Sequence, residues 1–255
     1  MEDADAVSGP KAWTAEFLGS FTFITVGVGS VIVANTGLAP IGVLGVAAAH
    51  GLTFAVLVSA FSGISGGHIN PVVTFSALIG GRIRPADAFA YMLAQFAGAY
   101  VAVAVIWAMF GRFAHETQFV TPAVRAGFPL GRAILIEAVF TFFVVLAMWA
   151  TVIEERGSRI GGFGPGLMLF VGILVAAQAT GAALNPARHI APAVFAGNLT
   201  NWWVYWVGPA AGGLLAGLIY PLLLGDRSFG WRLVPARSAD GPPAPGQTRR
   251  GRPKT

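Results

Sequence analysis

Apolar positions in this chain fall in long, nearly unbroken runs. They follow neither the alternation of a half-buried strand nor the one-sided stripe of a surface helix. A bilayer core of about 30 Å takes about 20 apolar residues in a helix. Windows of that kind occupy 12–34, 41–63, 86–110, 133–153, 163–183 and 202–224, so the pattern predicts six membrane spans. Two further apolar segments, 70–80 and 185–196, are too short to cross, and each opens on the same dipeptide, Asn70-Pro71 and Asn185-Pro186. Asn is a favoured N-cap and Pro a favoured first helical residue, so each pair marks a helix start. About eleven residues at 1.5 Å rise reach only half of the hydrocarbon thickness.

Superposing the two dipeptides gives an offset of 115 residues, with ISGGHINPVVTF (64–75) over ATGAALNPARHI (179–190). Each repeat then holds three spans and one half-helix. Three is odd, so the second copy is inverted, and the half-helices enter from opposite faces to meet near the midplane. Two positive helix ends converge there and repel a cation. Asn70 and Asn185 can each cap their own helix through the side-chain oxygen and still offer amide hydrogens to a lumen. The runs before them, Gly66-Gly67-His68 and Gly181-Ala182-Ala183, are expected to be unwound. Backbone of that kind is tolerated at such depth only when buried in protein or lining a wet cavity. Its carbonyls would form a ladder of acceptors, so the expected site is a polar file for a small neutral molecule.

Composition strengthens the membrane reading: 55% of residues are hydrophobic, 11% are charged, and the mean hydropathy is +0.70. The absence of cysteine excludes a disulfide scaffold, a thiolate metal site and a cysteine nucleophile. The acidic start MEDADAVSGPK is unlike a basic secretory leader, and no cleaved leader is expected. Residues 1–224 balance nine basic against nine acidic groups, whereas 225–255 carry seven basic and two acidic, the whole excess of +5. That Pro/Gly-rich tail reads as a disordered cytoplasmic flank rather than a nucleic-acid site. With residues 1–11 inside, Lys11, Arg82, Arg84, Arg156, Arg159 and the seven tail residues are cytoplasmic. Only Arg112, Arg125, Arg132 and Arg188 lie outside, twelve against four. Trp202, Trp203, Tyr205 and Trp206 would mark the outer interface.

Neither the four histidines nor the carboxylates show metal-ligand spacing, so no metal is expected. SGISGG (62–67) mimics a glycine-rich phosphate loop but lacks its Lys/Thr ending, and no catalytic constellation appears; the expectation is a non-enzyme without cofactor. Glu16 and Glu137 are the acids set well inside apolar spans. An intramembrane carboxylate is a functional candidate, here either a proton-coupling site or, in matching places of two repeats, a brace for each loop.

Over about 12–224 the chain resembles the aquaporin family (major intrinsic proteins). The resemblance rests on the boxes Asn70-Pro71-Val72 and Asn185-Pro186-Ala187, on Glu16 and Glu137, on Ser65-Gly66-Gly67-His68, and on Arg188 directly after the second box. It implies an all-α bundle of six spans plus two re-entrant half-helices that passes water and excludes ions and protons. Such pores are the standing example of selection by diameter, lining hydrogen bonds and half-helix dipoles. Counting from the boxes, the family's constriction falls on His50, Ile173, Ala182 and Arg188. His and Ile at the first two positions look like the tonoplast intrinsic proteins, which implies passage of ammonia, urea or hydrogen peroxide beside water. Glycerol-conducting relatives carry Asp after the filter arginine, where this chain has His189, then Ala193 and Tyr205-Trp206. A pore mainly for glycerol or a metalloid acid is the first alternative; a proton-coupled transporter and a membrane scaffold follow. Val72 is larger than the family's usual Ala. The resemblance further implies a homotetramer, with a plasma membrane as default address and a vacuolar membrane as the alternative.

Overall fold

The computed structural model describes residues 9–154 and 157–223. The basic tail at 225–255, most of the 1–11 segment and Arg156 lie outside the described residues. Among the described residues the architecture is all helical. Six helices are long and apolar enough to cross a membrane. They are α1 (Pro10–Asn35), α2 (Gly42–Ser65), α4 (Pro85–Phe110), α6 (Leu130–Met148, extended by a π-type turn Trp149–Ile153), α7 (Phe163–Thr180) and α9 (Val204–Leu223). The half-helices are α3 (Pro71–Ile79) and α8 (Pro186–Phe195), and α5 (Arg112–Glu116) lies in the connection after α4. The fifth span ends earlier than the 163–183 window. Thr180 is its last residue, because Gly181 caps it in the left-handed region at φ 81° and starts the unwound run.

The packing repeats itself. α1 lies on α4 and α2 as α6 lies on α9 and α7, α3 packs on α9 as α8 packs on α4, and α2 meets α7 between the halves. Glycine allows the closest crossings, as small residues do in membrane bundles. A Cβ on Gly98 would strike the Phe17 carbonyl, and one on Gly212 the Ala138 carbonyl, which are matching crossings of the two repeats. Gly51 and Gly166 face each other's backbone where α2 meets α7. The far end of α3 is pinned by Trp149, whose Nε1 donates to Ser76 Oγ at 2.9 Å, and by the Arg82–Glu154 ion pair at 2.8 Å.

Val72 fits because of what faces it. Position 213 on α9 is glycine, and a Cβ there would run into Val72 Cγ1. The third residue of the first box is thus accommodated by a glycine on the last span.

Candidate functional site

Each half-helix begins as its sequence dictates. Asn70 is extended (φ −150°, ψ 124°), its Oδ1 accepts from Val72 N at 2.9 Å, and Pro71 takes the first helical position, where an N–H would have no intrahelical acceptor. Asn185 repeats this, accepting from Ala187 N at 2.9 Å and Arg188 N at 3.3 Å. The two caps are tied across the repeat boundary: Asn70 Nδ2 donates to the Leu184 carbonyl at 2.9 Å, and Asn185 Nδ2 donates to the Ile69 carbonyl at 3.2 Å. The two N-termini therefore abut. An amide nitrogen has two hydrogens, so the crossing bond occupies one on each Asn and leaves one rather than two for a lumen.

The runs before the caps are held in conformations that L-residues rarely choose. Gly66, Gly67 and Ile69 have φ of 85°, 61° and 54°; Gly181, Ala182 and Leu184 have φ of 81°, 46° and 51°. Left-handed backbone costs a residue with a Cβ about 1–2 kcal/mol, so something must over-determine it. Glu16 does so on one side, accepting at Oε1 from Ser65 Oγ (2.6 Å) and His68 N (2.9 Å). Its Oε2 accepts from Ile69 N (2.6 Å) and Gln95 Nε2 (2.7 Å). Glu137 accepts from Thr180 Oγ1 (2.6 Å), Ala183 N (3.2 Å) and Leu184 N (2.8 Å). Both carboxylates are fully buried, and the donors aimed at them satisfy lone pairs that would otherwise be stranded.

His68 is buried, with its ring edge-on to Tyr91 at 5.5 Å. Its Nδ1 meets Thr74 Oγ1 at 3.1 Å; that hydroxyl accepts from Gln95 Nε2 at 3.0 Å and so has its own hydrogen for the histidine. Ala183 stands in the corresponding place of the second run.

His50 is buried on α2 and bonds to the Val46 carbonyl through Nδ1 at 2.9 Å. A carbonyl only accepts, so the proton sits on Nδ1, and in the neutral ring Nε2 is an acceptor. Gly27 on α1 makes room for the ring, since a Cβ there would lie 2.6 Å from Nε2. Arg188 acts electrostatically on His50 and on Glu137. Its Nη1 donates to the Val120 carbonyl at 3.5 Å, while Nε is buried without a partner. Ala182 and Ile173 are both buried, and Gly172 beside Ile173 packs on Leu184. Arg188 lies on the half-helix that follows the second run, Ala182 lies within that run, His50 is within electrostatic reach of Arg188, and Ile173 follows the glycine that packs on Leu184.

The connection between α4 and α6 contributes Phe119, Val120 and Pro122, which the sequence pattern does not flag. Gln118, Phe119 and Val120 are all left-handed, and this turn delivers the Val120 carbonyl to Arg188. Phe119 is buried against Phe195, and Pro122 lies on Gly181. His115 is exposed and packs its ring on Trp107 and Phe119. The bonds of Ser65 and Thr180 to the two carboxylates, and the part played by Gln95, are not predicted by the sequence pattern. A signal existed for the first two, because small hydroxyl residues sit in register just before Gly66 and Gly181. Among the described residues, no three His, Asp or Glu side chains are grouped to hold a metal.

The model of the major intrinsic protein family matches residues 3–220. Aquaporin TIP2-3 of Arabidopsis thaliana is 37% identical over 227 residues, covering 86% of this chain and 89% of that protein. Aquaporin TIP2-1 of Zea mays is 39% identical over 226 residues, with 86% and 89% covered. The lens fiber major intrinsic protein of Canis lupus familiaris is 40% identical over 224 residues, with 85% and 82% covered. An X-ray structure of the aquaglyceroporin from Plasmodium falciparum superposes with a TM-score of 0.75, covering 84% of this chain and 96% of that one at 20% identity, a likeness of fold.

Proposed function

The chain belongs to the major intrinsic protein family, and from that premise we propose how its pore selects what it passes. It is a multi-pass membrane protein and a passive water channel of tonoplast-like character. The reciprocal donation of Asn70 to Leu184 and of Asn185 to Ile69 carries the reading of the site. With one amide hydrogen committed on each Asn, the other is left for the file. A passing water accepts both at the point where two helix dipoles present their positive ends. Its own hydrogens then point away from the centre, which interrupts proton relay, and the same field repels cations. The carbonyls of Gly66, Gly67, His68, Gly181, Ala182 and Ala183 serve as acceptors on either side, with Glu16 and Glu137 bracing the runs.

His50, Ile173, Ala182 and Arg188 form the filter of this reading. The Nδ1 bond to Val46 leaves the other edge of His50 as an acceptor, and Arg188 opposes it with a fork of donors. Acceptor and donor together suit a small neutral molecule bearing both, which is water first, then ammonia, urea or hydrogen peroxide. Ile173 and Ala182 set the width. Carboxylates already holding four and three donors are fixed acceptors, which supports bracing over proton coupling. Passage through such a pore needs no covalent step and no cofactor, and the protein acts as a channel rather than an enzyme. We further infer a homotetramer with one pore per subunit. The twelve-against-four distribution of Lys and Arg supports both termini on the cytoplasmic side. A cell membrane is our placement; similarity to tonoplast-type relatives favours a vacuolar membrane as the second.

Stopped-flow light scattering on purified protein in liposomes tests this. Fast water flow with low activation energy, slow glycerol flow, and ammonia flow that disappears in His50→Phe are expected. Water permeability equal to that of empty vesicles would overturn the functional reading.

A further inference from the structure

His189, next to Arg188, is almost fully buried, and neither of its ring nitrogens has a hydrogen-bond partner. Burying ring nitrogens without hydrogen bonds costs free energy, and the contact the ring does make is through its face. The face lies flat on Tyr205 of α9, with centroids 4.0 Å apart and planes 15° apart. Tyr205 is itself buried and donates its hydroxyl to the Thr180 carbonyl at 2.8 Å. The Thr180 hydroxyl accepts from Ala182 N at 3.1 Å and donates to Glu137. Ala182 is held left-handed at φ 46°. A chain of contacts therefore runs from the residue beside Arg188, through Tyr205 of α9 and Thr180, to Ala182 of the second run.

The first repeat builds this place differently. Thr74 stands where His189 does, and it is hydrogen-bonded to Gln95 and His68. Tyr91 stands where Tyr205 does and is packed by His68, from the unwound run rather than from the half-helix. A network of hydrogen bonds on one side is replaced by a ring stack on the other, on the side that carries the arginine.

We propose that His189 is a positioning residue for the filter: through its ring face it holds Tyr205 against Thr180, and so fixes how far Ala182 stands from Arg188. The stack then limits the aperture toward solutes larger than water. This rests on the channel reading above, and the test separates the two.

Full-length wild type, His189→Ala, His189→Phe and Tyr205→Phe are reconstituted in liposomes, and water and urea permeabilities are read by stopped flow on the same vesicles. The urea-to-water ratio is expected to rise about threefold to tenfold in His189→Ala, the scale of one lost aromatic stack. His189→Phe, which keeps a ring face without nitrogens, should restore the wild-type ratio. Tyr205→Phe, which keeps the stack and loses the bond to Thr180, should raise the ratio as His189→Ala does. It carries the test alone if His189→Ala does not fold. An unchanged ratio in His189→Ala or Tyr205→Phe overturns the inference while the channel stands, as does a His189→Phe ratio as high as that of His189→Ala. Wild-type vesicles no faster than empty ones overturn the channel reading and this inference together.

Discussion

The two unwound runs are built on one plan and finished differently. Around 66–69, the carboxylate of Glu16 gathers four donors. Gln95 and Thr74 extend the network to His68, leaving Gln95 Oε1 as that network's unpartnered buried atom. Around 181–184, Glu137 gathers three donors. Pro209 and Ala183 occupy the places of Gln95 and His68, and Thr141 Oγ1, Arg188 Nε and both His189 nitrogens are buried without protein partners. Buried polar atoms are ordinarily satisfied. The first half thus uses its polar groups to hold itself, whereas the second leaves several over, among them the arginine's own Nε and both nitrogens of the histidine next to it. A shared scaffold that fixes both helix ends is compatible with one half specialising in selection.

The largest effect should come from removing the carboxylates. Each buried donor left unanswered costs about 1–3 kcal/mol, and the released run must also hold its left-handed residues without help. Glu16→Ala strands four donors and Glu137→Ala three, so both should lose the monodisperse folded species on thermal size-exclusion chromatography, Glu16→Ala at the lower temperature. Equal midpoints, or the reverse order, would break the contrast drawn between the halves.

Next in size is selectivity. Val73 takes the place of Arg188 in the first half and is fully buried. Arg188→Ala should keep water flow and raise urea and glycerol flow severalfold, because it removes a fixed charge and a donor fork. Val73→Ala should leave the solute-to-water ratios unchanged. The reading that selection resides in the second half fails if the two variants shift those ratios alike in the liposome assay.

Much of this arrangement was legible in the chain, and the rest has a physical reason for hiding. Long apolar runs and two Asn-Pro starts suffice for six spans and two half-helices, since hydrocarbon thickness leaves a helix few lengths to choose from. Glu16 and Glu137 were visible because charge inside an apolar span is rare. Gln95 was not: a single amide in an apolar helix gives no periodic signal, and its partners Glu16 and Thr74 come from two other elements. The crossing of each Asn amide to the other run is equally invisible, because it depends on the depth at which the half-helices meet. The window 163–183 overran its helix since Ala182 and Ala183 are apolar; only the left-handed cap at Gly181 ends it.

The finest test concerns how each half-helix seats on the span opposite. Val72 of α3 faces Gly213 of α9. The matching positions of the other repeat are Ala187 on α8 and Ala99 on α4, both fully buried on elements that pack together. One seat is built large against none, the other small against small, so similar volume is divided differently. Gly213→Ala should therefore overpack the first seat at a cost of about 1–3 kcal/mol, read as a lower unfolding midpoint with water flow per folded channel retained. Adding Val72→Ala should recover most of that loss, since the pair then matches the Ala99–Ala187 seat. Costs that simply add in the double variant would mean that the two residues are independent, and the division of volume between the repeats would have no part in seating the first box.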